Sequence, residues 1–273
     1  MANNFFETWM QAVKTSLSFL SSPLDSNTIQ TQKKEKKEPH PLEAEIGSFK
    51  KTIVYQNDIF ILYSYAKKDA KIPLLIVNPL INGSYILDLL PEISLIRHWS
   101  EKNIAVYLIE WKNITAYHKK YDFEYYIKNG VSQALEEVFK LEQQPVVLAG
   151  HCLGGLLASA HLACGDDSRV KKYLSLNSPY DLSKLSKIKE MAMFLNVDET
   201  VDFFENIPAE QMKFLFQMIN PILKMQAMTA VFFKSDPIFL RTYRALLKWR
   251  EDHINMPGEF ARFLLKDLFQ ENR

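Results

Sequence analysis

Val146-Val147-Leu148-Ala149-Gly150-His151-Cys152-Leu153-Gly154-Gly155-Leu156-Leu157 is the stretch on which the reading of the chain turns. It opens with an apolar, β-branched run and closes with residues of helical composition, and between them a cysteine has glycine two positions away on either side. A strand that turns sharply into a helix is the setting of a nucleophile elbow, G-x-Nu-x-G, here with cysteine where serine is usual. The demand for glycine is steric, because the nucleophile sits on a strained turn where side chains at Gly150 and Gly154 would collide with their surroundings. The chain holds only eight glycines in 273 residues, yet Gly150, Gly154 and Gly155 fall within six positions. A helix starting at Leu153 is expected to aim its first amides at the thiol. That favours thiolate and offers the Leu153 N–H to an oxyanion. The competing reading is a buried structural cysteine on a glycine-rich turn, since free cysteine is commonly buried. The dinucleotide fingerprint G-x-G-x-x-G is absent.

Outward from the elbow, short β-rich runs occupy Thr52–Tyr55, Ile59–Tyr65, Pro73–Val77, Ala105–Ile109, Pro145–Ala149 and Lys172–Leu176. Helical stretches lie near Ser94–Lys102, Asp122–Leu141 and Leu153–Cys164. Strands alternating with helices imply crossover connections and an α/β fold with a mostly parallel sheet. The first two runs, joined across Gln56-Asn57-Asp58, are expected to form an antiparallel hairpin at its edge. After about residue 183 the strand signal ends, and the remainder reads as helical. That part holds seven of the nine methionines, with Phe203, Phe204, Phe214 and Phe216 among them. A stripe of this kind serves as core, and a Met-rich surface also adapts to a flexible apolar ligand. The expected divisions are an amphipathic N-terminal helix over 1–20, a polar linker over 21–46, an α/β core over 47–182 and a helical cap over 183–273.

Thirty-three Lys+Arg against thirty-two Asp+Glu leave a formal charge of +1, without the basic excess of a nucleic-acid binder. Two cysteines, Cys152 and Cys164, make no disulfide framework and suit a reducing cytoplasm. Twelve helical residues would separate them by roughly 18 Å, too far to bridge. Phe6, Trp9, Met10, Val13, Leu17 and Leu20 recur at helical spacing, without the basic start of a signal peptide. That helix either docks on its own domain or presents a surface to a partner or a lipid-like body. No apolar run is long enough to span a bilayer, and no metal site is expected.

A cysteine nucleophile of this type calls for a histidine base and an acid to orient it, both later in the chain. His161 is nine positions after Cys152 on the same helix and is removed from its reach. His253 has Asp252 as its neighbour, and adjacent residues are poorly placed to act as successive members of a relay. His151 is expected to pack under the elbow, away from the thiol. The elbow is present and its partners are not evident.

Gly150-His151-Cys152-Leu153-Gly154-Gly155 resembles the G-x-C-x-G-G lipase-like box of poly(3-hydroxyalkanoate) synthases. Pro73–Asp88 and Ser94–Trp111 are similar to the segment leading into that family's first long loop and beyond. Asn206-Ile207-Pro208 and Ala245–Arg273 are similar to its helical cap. The likeness covers about residues 50–273, and His151 stands where an aromatic or aliphatic residue is expected. It implies an α/β-hydrolase core with a helical cap, and a Cys152 that accepts 3-hydroxyacyl groups from coenzyme A for transfer to a growing polyester. The thioester is substrate, and no cofactor is implied. By the same resemblance, the backbone of Leu80 or Ile81 joins Leu153 in the oxyanion hole, and Tyr85 and Asp88 lie near the site mouth.

The family carries its catalytic Asp and His on a strand and loop beyond the segment that resembles Asp267–Arg273, so neither is expected within these residues and the sheet is expected to be C-terminally incomplete. A fragment, one half of a split gene and a decayed copy all fit. The partners implied are 3-hydroxyacyl-CoA, a polyester granule or a second synthase subunit, and an oligomer of like or unlike chains. Two rival functions stand beside acyl transfer: a non-catalytic homologue that binds a synthase or granule, and a cysteine-dependent ester or thioester hydrolase.

Overall fold

A computed structural model describes residues 45–66, 69–184, 186–219 and 237–273. The expected N-terminal helix and nearly all of the linker lie outside the described residues. The six principal strands are β1 (Thr52–Gln56), β2 (Phe60–Ser64), β3 (Ile72–Val77), β4 (Ile104–Trp111), β5 (Val146–His151) and β6 (Val170–Leu176). They form one sheet in the order β1-β2-β4-β3-β5-β6. β1 and β2 are the expected antiparallel hairpin, and β2 also runs antiparallel to β4. From β4 inward every pairing is parallel.

The central strands are apolar because both of their faces are covered. Leu75 and Val77 of β3 share a core with two helices on one face, α2 and α3. Leu74 and Ile76 share another with α1 on the opposite face. Helix α1 (Leu95–Glu101) begins at Ser94, whose hydroxyl accepts from Arg97 N–H. Helix α2 starts as Phe123–Tyr126 under an Asp122 cap, passes through a π-turn at Ile127–Ser132 and continues as Gln133–Glu142. Helix α3 (Leu153–Ala163) leaves directly from the end of β5. β6 differs from the other crossover strands: Lys171, Lys172, Leu174 and Ser175 are exposed, and among the described residues no strand lies beyond it.

Beyond residue 185 the described helices form the cap: α4 (Ser186–Met193), α5 (Val197–Phe204), α6 (Ala209–Ile219), α7 (Pro237–Glu251) and α8 (Gly258–Arg262), which runs on as a π-helical stretch, Phe263–Gln270. One feature departs from the all-helical expectation. Asn206–Ile207 pairs antiparallel with Met256–Pro257. Two-residue strands carry no periodicity that a sequence pattern reveals. Asn206 and Asn255 then stitch the junction, accepting from Gly258 N–H at 3.3 Å and Ala209 N–H at 2.8 Å. The cap is keyed to the core by aromatic contacts, with Phe123 stacked on Phe263 at 4.8 Å and tilted against Phe260 at 5.5 Å.

Candidate active site

Cys152 sits between β5 and α3 with φ 51° and ψ −125°, a left-handed conformation that a non-glycine residue adopts at a cost. The turn is held from both sides. Cys152 N–H donates to Leu176 O at 2.8 Å, tying the turn to the end of β6, and Gly155 N–H donates to Cys152 O at 2.9 Å. The glycines are there for close approach. A Cβ on Gly154 would lie 2.1 Å from Val77 O at the end of β3, and one on Gly150 would lie 2.3 Å from Gly155 Cα. One on Gly155 would meet Ser178 Oγ at 1.8 Å. The helix is therefore pressed against the strand ends, with the thiol at its N-terminus.

Above the thiol is a cavity of about 200 Å³. Its floor is Cys152, Leu153 and Ile81, and its walls and roof come from the cap, among them Met191, Met212, Phe216, Met256 and Leu264. Among the described residues its only polar linings besides Cys152 are Thr200 and Gln211. Thr200 spends its hydroxyl on Asn196 O at 2.7 Å. Burial under this roof pushes the Cys152 thiol above its ordinary pKa, and the Leu153 N–H that donates to the thiol offsets the shift only in part. The expectation that helix amides would favour thiolate is thus corrected: the amide is in place, but desolvation outweighs it.

The other residues singled out from the sequence are distributed as follows. Ile81 reaches the cavity, whereas Leu80 is buried in the core. Tyr85 and Asp88 do not line the cavity. Tyr85 donates to Asp252 Oδ2 at 3.0 Å, and burial followed by Asp252 holds its phenol well above the usual value. Asp88 is buried, accepting from Phe49 N–H at 2.9 Å and Ser94 Oγ at 2.5 Å. It ties the segment before α1 to Phe49 and to the capping Ser94. His161 pairs with Asp167 at 2.8 Å, and Arg169 also grips Asp167, holding its carboxyl well below the ordinary range. His253 lies against Phe216 at 5.5 Å and does not line the cavity. Its Nδ1 is buried without a partner, and burial lowers its pKa. His151 behaves alike, with a buried, unpartnered Nδ1 and a pKa lowered by burial. Cys164 is exposed, and both cysteines are free. No group of metal-binding side chains occurs among the described residues.

Sequence reading singled out Leu80, Ile81, Tyr85 and Asp88 of the loop after β3 but missed Asn82 and its partner Trp249. Asn82 donates through Nδ2 to Trp249 O at 3.1 Å and Asp252 O at 3.4 Å, and Trp249 Nε1 donates to Gly83 O at 2.8 Å. Only the three-dimensional meeting of the loop with the end of α7 reveals these bonds.

The sheet order, the antiparallel hairpin at one edge and the strained turn after β5 define the chain as an α/β-hydrolase fold with cysteine at the elbow. Residues 2–99 match the model of the poly-beta-hydroxybutyrate polymerase (PhaC) N-terminus. The poly(3-hydroxyalkanoate) polymerase of Methylorubrum extorquens is 29% identical over 233 residues, covering 81% of this chain and 38% of that protein. The polymerase subunit PhaC of Synechocystis is 27% identical over 244 residues, covering 85% and 64%. Across most of its length the chain is similar to poly(3-hydroxyalkanoate) polymerases. It spans between about a third and two thirds of the length of these relatives. Among solved structures, an epoxide hydrolase of the α/β-hydrolase superfamily from hot-environment metagenomes aligns at 14% identity and a TM-score of 0.40, covering 80% of this chain and 68% of that one. The carboxylesterase CesB of Bacillus subtilis aligns at 15% and 0.38, covering 56% and 54%.

Proposed function

We propose that this chain supplies the nucleophile half of a polyhydroxyalkanoate synthase-type acyltransferase. The observation that carries the proposal is a cysteine on a strained elbow opening into an apolar chamber roofed by the cap. In the reaction, the Cys152 sulfur attacks the carbonyl carbon of a 3-hydroxyacyl-CoA. A carbon–sulfur bond forms, the carbonyl electrons move to oxygen, and the N–H groups of Leu153 and Ile81 hold that oxyanion. Collapse expels coenzyme A thiolate, which takes up a proton, and leaves the acyl group on Cys152. The hydroxyl of a second acyl unit then attacks the new thioester, forming an ester and releasing Cys152. Exchange of one thioester for another is nearly balanced in energy, and a dry chamber disfavours water as the competing acceptor.

Because no histidine or carboxylate lines the cavity among the described residues, the base and the acid that orients it are proposed to come from further polypeptide, either in the same protein or in a second synthase subunit. That same lack favours one alternative, a non-catalytic homologue that binds an active synthase or a polyester granule through its cap.

The test is to incubate the purified chain, alone and with a full-length synthase, with radiolabelled 3-hydroxybutyryl-CoA. Acyl transfer predicts retained polyester, lost in Cys152→Ala. Free 3-hydroxybutyrate without polymer identifies a hydrolase. An unlabelled chain that still binds the synthase or granules identifies the non-catalytic homologue.

A further inference from the structure

The loop that carries Ile81 is gripped by the cap at consecutive peptide units. Ile254 N–H, just beyond α7, donates to Ile81 O at 3.0 Å. The Asn82 side chain, 7% exposed, donates to Trp249 O in the last turn of α7 and to Asp252 O just beyond it. The Trp249 indole reaches Gly83 O. From below, Asn78 Nδ2 donates to Asn82 O at 3.2 Å, so the same residue is held by both its main chain and its side chain. On its other side Ile81 follows Leu80, which is 1% exposed in the core. The Ile81 N–H donates to no acceptor among the described residues, although its flanking peptides are held.

We propose that Asn82 is a positioning residue that fixes the Ile81 N–H as an oxyanion donor and makes that donor depend on the seating of α7. This rests on the assignment of Cys152 and Ile81 made above, but not on the identity of the acyl donor. An amide side chain suits the task because its NH2 carries two donors and so reaches both Trp249 O and Asp252 O at once. Alanine removes both side-chain bonds and leaves the loop held through its main chain alone. Aspartate keeps the shape but sets a carboxylate against carbonyl oxygens.

The test separates oxyanion stabilisation from thiol access. An alkyl trifluoromethyl ketone forms a reversible adduct in which the Cys152 sulfur bonds to the carbonyl carbon. The thiol proton leaves to solvent, and the oxygen becomes an alkoxide that needs the donors. Iodoacetamide alkylates the same thiol by displacing iodide and forms no oxyanion. In a Cys164→Ser background, Asn82→Ala and Asn82→Asp are expected to weaken the ketone adduct, followed by 19F NMR, at least tenfold, while iodoacetamide rates stay within about twofold. Trp249→Phe, which removes one bond and keeps the ring, should lie between these variants and the parent. An adduct unchanged in the Asn82 variants, an equal loss in both reactions, or no adduct with the parent protein would each overturn the proposal. A parent that binds the ketone but takes no acyl group from 3-hydroxybutyryl-CoA would leave Asn82's role standing and remove the acyl-CoA reading instead.

Discussion

Cys152 combines a strained backbone with a thiol whose ionisation is made costly by the apolar roof above it. Thiolate is the reactive form, and a pKa above the ordinary value means that less of it exists at neutral pH than for a free cysteine near 8.5. With Cys164 replaced by serine, the rate of Cys152 alkylation by iodoacetamide is therefore expected to climb about tenfold per pH unit from pH 7 and to be still rising at pH 9. A plateau already reached near pH 7 would mean that a nearby base or cation lowers the pKa. The position of the thiol was legible from the glycines around it. Its protonation state was not, because the shift comes from Met212, Phe216 and other cap residues that lie 60 or so positions further along the chain.

At the scale of elements, the elbow works because α3 touches the end of β3. The 2.1 Å separation between a notional Cβ on Gly154 and Val77 O leaves no flexible side chain to move aside. Gly154→Ala is expected to destabilise the fold by about 1–3 kcal/mol, the usual cost of overpacking, measured as a shift in the urea midpoint with unchanged slope. A change below a few tenths of that would show that the elbow tolerates more room than its geometry implies. The strands and helices of the core were legible because burial on two faces imposes continuous apolar runs on β3 and β5, and because Ser94 and Asp122 mark their helices with capping side chains. The pairing of Asn206–Ile207 with Met256–Pro257 was not, nor was the grip of α7 on the loop after β3. Asn82 and Trp249 are 167 residues apart, and neither residue type nor spacing announces such a meeting.

For the whole molecule, the sheet is deeply buried at its centre, and among the described residues no strand covers β6. Leu148 of β5 is fully buried, whereas Leu174 of β6 is 38% exposed. Leu148→Ala should cost about 2–5 kcal/mol, and Leu174→Lys should stay within about 0.5 kcal/mol, both by denaturant unfolding. A large loss at Leu174 would mean that the edge is covered in solution. The described residues build an apolar chamber over a strained cysteine, with no histidine or carboxylate among its lining. The fold stands on the sheet order, and the proposed catalysis stands on one thiol. The most direct measurement is a single-turnover incubation with radiolabelled 3-hydroxybutyryl-CoA, followed by proteolysis and mass spectrometry of the labelled peptide. The account predicts one 3-hydroxybutyryl group in thioester linkage on Cys152, absent in Cys152→Ala, with an equal amount of coenzyme A released. Label on another residue, or coenzyme A release that persists in Cys152→Ala, would contradict it.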